Sequence, residues 1–147
     1  SGRIYRCDNV GTSSSCSEIT GSVPATRFVT DIAVDRLNPR RVFLTRAAFD
    51  DSRLYVSNDL GATWTAIGNA LPGVPANAVA IDPMDRNTIY VGTDIGMYRS
   101  VDAGLNFVPF NDGMPLGNVI TDLEISAPRH QLVAGSYGRG AWRIELS

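Results

Sequence analysis

Lysine is absent from this 147-residue chain, histidine occurs once and cysteine twice, and aromatic residues make up only 8% of it. All thirteen cations are therefore arginine, set against fifteen acidic residues for a net charge of −2, with no basic cluster anywhere. Phosphate-backbone binding needs such a cluster, so nucleic acid is excluded as a partner. No apolar run approaches the roughly 18 to 20 residues of a membrane-spanning helix. One histidine, His130, and two cysteines cannot close a zinc site, and the acidic residues are nowhere grouped as a calcium loop requires, so neither metal nor cofactor is expected. No serine is paired with the histidine at a recognisable elbow, and the stretch Gly135 to Gly140 lacks the lysine and following helix of a phosphate loop.

What the chain does have is enough apolar residue for a core, 44% of the total, and a repeat. The segment Arg53-Leu54-Tyr55-Val56-Ser57-Asn58-Asp59-Leu60-Gly61-Ala62-Thr63-Trp64 recurs, loosened, from Gly96 to Phe107. Aromatic anchors at Tyr5, Tyr55, Tyr98 and Trp142 stand roughly 43 to 50 residues apart, the period of a β-propeller blade. Each unit reads as four short strands, A to D from the centre outward. Strand A is an alternating run near Ile32 to Val34, Val79 to Ile81 and Leu123 to Ile125; strand B follows a Pro/Asn/Asp turn; strand C carries the aromatic anchor. Strand D is expected at Thr63 to Ile67 and Asn106 to Phe110. No stretch of ten residues has a helical period, so the fold class is all-β, built of about three blades of four antiparallel strands. The expected units are strands C and D of one blade over 1–22, full blades over 23–69 and 70–112, and strands A to C of a last blade over 113–147.

An open arc of blades exposes the apolar flanks of its ends, and such patches rarely stay solvated. The chain is therefore expected to sit in something larger, with the remaining blades of a longer propeller or further copies of itself as partners. It begins at Ser1 with neither a leader nor an initiator methionine, and so reads as a processed, tagged or excised segment. Cys7 and Cys16 are close enough for a local disulfide, which would staple the first hairpin and point to an extracellular or periplasmic home; two reduced thiols fit the same spacing.

The octet from Ser57 to Trp64 matches Ser-x-Asp-x-Gly-x-Thr-Trp at all five fixed positions: Ser57, Asp59, Gly61, Thr63 and Trp64. Its second copy keeps Ser100, Asp102 and Gly104, with Asn106 for Thr and Phe107 for Trp. On these residues the chain resembles the BNR/Asp-box repeat β-propellers, a group that includes sialidases, xyloglucanase-type glycoside hydrolases and the sortilin ectodomain. The resemblance implies a structural box: the carboxylate accepts backbone N–H groups in the C–D turn, the glycine takes a positive φ and the aromatic packs over the hairpin.

Strand order puts the D–A and B–C loops on one face, where propeller sites lie in this group. The candidate lining is Arg27, Asp31, the run 73–77, Asn118 and Asp122 from D–A loops, and Arg46, Asp50, Asp51, Thr93, Asp94 and the run 136–140 from B–C loops. Arg27, Arg46, Asp94, Tyr137 and Arg139 are the ligand-binding candidates. The sialidase resemblance would make the three arginines a carboxylate clamp, yet no Arg-Ile-Pro motif occurs and these loops hold no glutamate partner for Tyr137. Asp31 and Asp122 each open an A strand at the channel mouth, the arrangement that glycoside hydrolysis asks of two carboxyls; Ala78 stands at the matching place between them. His130 is expected to be an exposed turn residue. The leading functional expectation is a non-catalytic, secreted binding segment with a glycan or protein ligand on the D–A and B–C face. The alternatives are the C-terminal part of a xyloglucanase-like hydrolase using Asp31 and Asp122, and a self-assembling structural array.

Overall fold

The computed structural model describes residues 2–9, 11, 13–49 and 52–147. Alternating residues over short runs separated by Pro, Asn, Asp and Gly produce antiparallel hairpins throughout. Strands β1 (Tyr5–Asp8) and β2 (Ser15–Glu18) pair as an outlying hairpin. The next sheet is β3 (Val29–Val34), β4 (Val42–Arg46), β5 (Leu54–Ser57) and β6 (Thr65–Ala66), in that order. After a single 3-10 turn at Gly68–Ala70 comes the sheet of β7 (Ala76–Ile81), β8 (Ile89–Thr93), β9 (Gly96–Ser100) and β10 (Val108–Pro109). The last sheet has β11 (Ile120–Ser126), β12 (Gln131–Ser136) and β13 (Gly140–Glu145). These are the radial sheets of a β-propeller, two of them with four strands, and β3, β7 and β11 are the inner strands of successive blades.

The blades hold one another through the flanks of the inner strands. Val79 and Ile81 of β7 pack towards Ala33 of β3, in a cluster with Phe43, Leu54, Leu71, Ile89 and Val91. Leu123 and Ile125 of β11 pack in the same way towards Ala78 and Ala80 of β7. Small residues on the leading flank thus receive large aliphatic ones from the trailing flank of the next blade, and burying each aliphatic side chain contributes about 1.5–3 kcal/mol.

Each inner strand also carries a β-bulge at the same place, at Thr30, Asn77 and Thr121. A bulge turns an extra side chain aside from the ladder. The Thr30 hydroxyl reaches the Ala76 carbonyl of the next blade at 2.6 Å, and the Asn77 amide donates to the Ile120 carbonyl of the one after at 3.0 Å. Thr121, with no further blade beside it, lies 3.3 Å from the Gly135 carbonyl of its own sheet.

The outer strands β6 and β10 are two residues each, shorter than the five expected from sequence. The cause is local: the N–H groups of Thr63 and Asn106 bond the Asp59 and Asp102 carboxylates instead of a strand partner. The first two unit ends are joined to their successors by a further contact. Gly61 (φ 85°) and Gly104 (φ 94°) lie in turns where an added Cβ would sit 2.3 Å from the Ile19 Cδ1 and 2.6 Å from the Ile67 Cδ1. The positive backbone angle favours glycine there, and an added Cβ would also make the end of the neighbouring isoleucine side chain shift. Cys7 and Cys16 face each other across β1 and β2 and form a disulfide.

Two outcomes follow. Thiol titration of the unfolded, unreduced chain finds no free sulfhydryl. Gly104→Ala lowers the chemical denaturation free energy by about 1–3 kcal/mol, because alanine is strained at that positive backbone angle and its Cβ displaces the end of the Ile67 side chain.

Candidate functional site

The two octets build the same device. In the first, the Ser57 hydroxyl donates to Asp59 at 2.8 Å and accepts the Gly61 N–H at 2.7 Å, while Asp59 accepts the Thr63 N–H at 2.8 Å and the Thr63 hydroxyl at 2.6 Å. In the second, Ser100, Asp102 and Gly104 repeat these bonds, and the Asn106 side-chain amide takes the place of the threonine hydroxyl at 2.7 Å. Asp59 is held down to about 2 by the Thr63 hydroxyl and N–H and then by Ser57; Asp102 is held down to about 2 by the Asn106 N–H and side chain and then by Ser100. Trp64 is buried and its indole N–H donates to the Ile19 carbonyl at 2.7 Å; Phe107 packs on the core between the second and third sheets. All four oxygens of the two carboxylates are thereby engaged in the turns.

The inner strands line a groove of about 410 Å³ that runs from Asp31 to Leu37, on β3 and the turn after it, past Val79 to Pro83, to Asp122 to Ile125 on β11. Asp31 and Asp122 both face it, and so does Glu124. Asp31 is half-buried, and its two oxygens accept the Ile32 N–H at 2.8 Å and the Val79 N–H of the next blade at 2.9 Å. Its carboxyl is pushed above the ordinary carboxylate value by burial first, with the Asp122 charge adding to it, against the pull of the two N–H groups. Asp122 is exposed in the groove. The two carboxyls therefore differ in environment, one half-buried with its carboxyl raised above the ordinary value and one open to water.

At the far end of the same groove the blades are bolted by buried acids. Asp35, 1% exposed, binds Arg41 at 3.0 Å within its own blade and the Arg86 Nε of the next at 2.8 Å. Burial acts to raise its carboxyl, but Arg86, the Leu37 and Asn38 N–H groups and Arg41 outweigh that and hold it below the ordinary value. Asp82, at the corresponding place, binds His130 of the following blade, whose Nε2 is 3.0 Å from both carboxylate oxygens. His130 is thus a half-buried blade joint and not the exposed turn residue expected from sequence. These joints were missed, although the repeated aspartate that closes each of the first two A strands, Asp35 and Asp82, was a visible signal.

The loop candidates separate into tied and free. Arg46 is wholly buried, which corrects its expected place among ligand-binding residues: its guanidinium donates to the Pro24 carbonyl at 2.6 Å and the Ser52 carbonyl at 3.3 Å and lies 5.8 Å over the Tyr55 ring. A carboxylate clamp of Arg27, Arg46 and Arg139 cannot form with that side chain inside the core. Asp94 is half-buried and accepts the Asn77 amide at 2.9 Å. Asn118 is buried, its amide donating to the Pro115 carbonyl, and Thr93 is buried with its hydroxyl on the Gly96 carbonyl. Arg27 and Arg139 are exposed, and Tyr137 is 80% exposed on the B–C loop. Asp50 and Asp51 lie outside the described residues. Among the described residues no cluster of His, Cys, Asp and Glu could hold a metal ion.

This geometry makes the chain a run of β-propeller blades. The solved structures it resembles are propellers in turn: the GH74 enzyme of Niastella koreensis matches with a TM-score of 0.74 at 19% identity over 98% of this chain, and the GH74 xyloglucanase of Xanthomonas campestris with a TM-score of 0.70 at 20% identity over 97%. YCF48, solved with a D1 peptide, matches with a TM-score of 0.69 at 13% identity over 97%. In sequence, 56 residues are 36% identical to a xyloglucanase of Hypocrea jecorina, covering 38% of this chain and 7% of that enzyme. No family model matches the chain. It spans 25% of the length of each of the two GH74 enzymes and 45% of YCF48.

Both octet carboxylates are charged well below the unfolded value of 3.8, so they stabilise the folded chain fully above about pH 4, and that contribution is lost as pH falls towards about 2. Denaturation midpoints measured from pH 5 to pH 2 are expected to fall, and to fall less steeply in Asp59→Asn and Asp102→Asn, both of which start lower. His130→Ala is expected to lose about 1.5–3 kcal/mol of stability, because the buried Asp82 carboxylate keeps the Met84 N–H of its own turn but loses its joint to the next blade, with His130→Arg recovering much of it, since arginine makes the corresponding joint at Asp35.

Proposed function

We propose that this chain is a section of a propeller glycoside hydrolase acting on a xyloglucan-like polysaccharide, and that Asp31 and Asp122 are its contribution to the reactive groove. The observation that carries the reading is the pair of unlike carboxyls on one groove: Asp31, raised by burial, suits a proton donor to the leaving oxygen, and the open Asp122 suits the opposite partner. The likeness to two GH74 propellers and the short sequence match to a xyloglucanase support the substrate class. The Cys7–Cys16 disulfide fits an enzyme that works outside the reducing cytoplasm.

In this reading the groove is open at both ends because other blades complete it. The protein's own residues do three things there. Asp31 sets a half-buried carboxyl on the groove, the Val79 and Ile32 N–H groups fix the orientation of that carboxyl, and the Asp35–Arg86 and Asp82–His130 joints hold the three inner strands at constant spacing. A second reading, glycan binding without turnover, draws on the exposed Tyr137 ring with Arg27 and Arg139 on the loop face, where an aromatic plate and exposed N–H donors suit a sugar.

The test is incubation of the propeller that contains this section with xyloglucan, following new reducing ends and bound polymer together. Hydrolysis is expected, falling by about 10²-fold or more in Asp31→Asn and in Asp122→Asn with folding intact. Saturable binding without new reducing ends, lost in Tyr137→Ala and kept in the two Asn variants, would replace hydrolysis by the binding reading.

A further inference from the structure

One flank of this molecule is apolar and uncovered. At the repeat positions where Val79 is 3% exposed and Leu123 is 5% exposed, Ile32 is 47% exposed; beside it Val34 is 50% exposed. Val79 and Leu123 are covered by Ala33 and Ala80, small residues on the inner strand of the blade before. Ile32 and Val34 form one wall of a groove of about 320 Å³ whose other walls are Val42, Ile4, Ile19 and Trp64. The hairpin of β1 and β2 closes the outer side of that groove, and β1 pairs on one edge only, leaving the other edge free to pair with a strand. A space bounded by an apolar inner-strand flank and an open strand edge has the shape of the inner half of a blade.

We propose that this groove is the seat of a two-stranded antiparallel β-hairpin from outside these 147 residues, whose inner strand presents small side chains to Ile32 and Val34 and whose outer strand pairs with β1. The inference deepens the larger-ring part of the reading above and is independent of the glycan chemistry. The small side chains are specified by the two covered joints of the same molecule, where alanines face the aliphatic pair. The pairing with β1 is strand addition, in which main-chain bonds give affinity and alternate side chains give selectivity.

A second copy of this chain does not meet the requirement. Its exposed leading flank, on β11, carries Glu124 at the repeat place of Ala33 and Ala80, and docking would bury that carboxylate against Ile32 and Val34. The N–H of Ile32, which a carboxylate at the Asp122 position would address as Asp31 addresses Val79, is already bonded to Asp31. The third and fourth strands of the seat are moreover filled by β1 and β2, where the β13 strand of a copy would have to go.

The probe is a synthetic peptide of residues 76–93, the inner hairpin of the third unit of this chain, titrated into the intact 147-residue chain. Binding is read by Trp64 emission and by amide hydrogen exchange. Saturation is expected at or below roughly millimolar peptide, with slowed exchange in Tyr5–Asp8 and around Ile32 and Val34. Ile32→Glu/Val34→Glu should weaken binding by about tenfold or more, and Glu124→Ala on the far flank should leave it unchanged. The wild-type exchange map decides the matter alone if the double variant is misfolded. No saturation, protection elsewhere, or equal binding by a well-folded double variant overturns the proposal. Concentration-dependent self-association that the double variant abolishes overturns it too, in favour of a second copy. Failure of xyloglucan turnover leaves the hairpin result standing, so the two readings fail separately.

Discussion

The seating of large aliphatic side chains from one inner strand on alanines of the strand before is the constraint on which this structure depends. A single four-stranded sheet has two faces to cover and nothing of its own to cover them with, so neither Val79 and Ile81 nor Leu123 and Ile125 would be dry without a neighbouring blade. The polar joints lie along the same seams. Thr30 and Asn77 reach forward to carbonyls, Asp31 reaches forward to an N–H, Asp35 holds the Arg86 guanidinium of the blade ahead, and Asp82 holds the His130 ring of the blade ahead of it. Apolar contact supplies the adhesion, and these bonds fix the relative height and rotation of adjacent sheets. The groove is the inner edge of that stack, so its shape is set by blade packing and not by loops.

The repeat made the propeller legible, because a period of strand and turn in the forties leaves few other folds and because the octet marks the C–D turn in two units. The local alternation located the inner strands for the same reason: one residue in two is apolar at Ile32, Val34, Val79, Ile81, Leu123 and Ile125. A bulge of one residue leaves almost no trace in so short a pattern, and the three bulges at Thr30, Asn77 and Thr121 could be seen only as geometry. The outer strands were drawn too long because side-chain acceptors compete with the ladder for backbone N–H groups, a competition settled by conformation.

The candidate site was legible in part. Asp31 and Asp122 do meet on one groove, as their place at the start of two inner strands implied, but that Asp31 also spans a blade joint depends on Ala78 leaving the Val79 N–H free. Arg46 and His130 show the limits of residue type as a guide to exposure. An arginine is normally wet, and here two main-chain carbonyls and a tyrosine ring replace its water. A lone histidine in a turn looks idle until the turn is laid against the aspartate of the preceding unit.

The isoleucines that end the first two units, Ile19 and Ile67, each rest their side-chain ends against a positive-φ glycine of the following unit, Gly61 and Gly104. The second unit thus carries both a plug for its successor, Ile67, and a socket for its predecessor, Gly61. Gene duplication of a whole unit would reproduce both halves of the fitting at once, so the number of units can drift over evolutionary time without a new interface having to be invented.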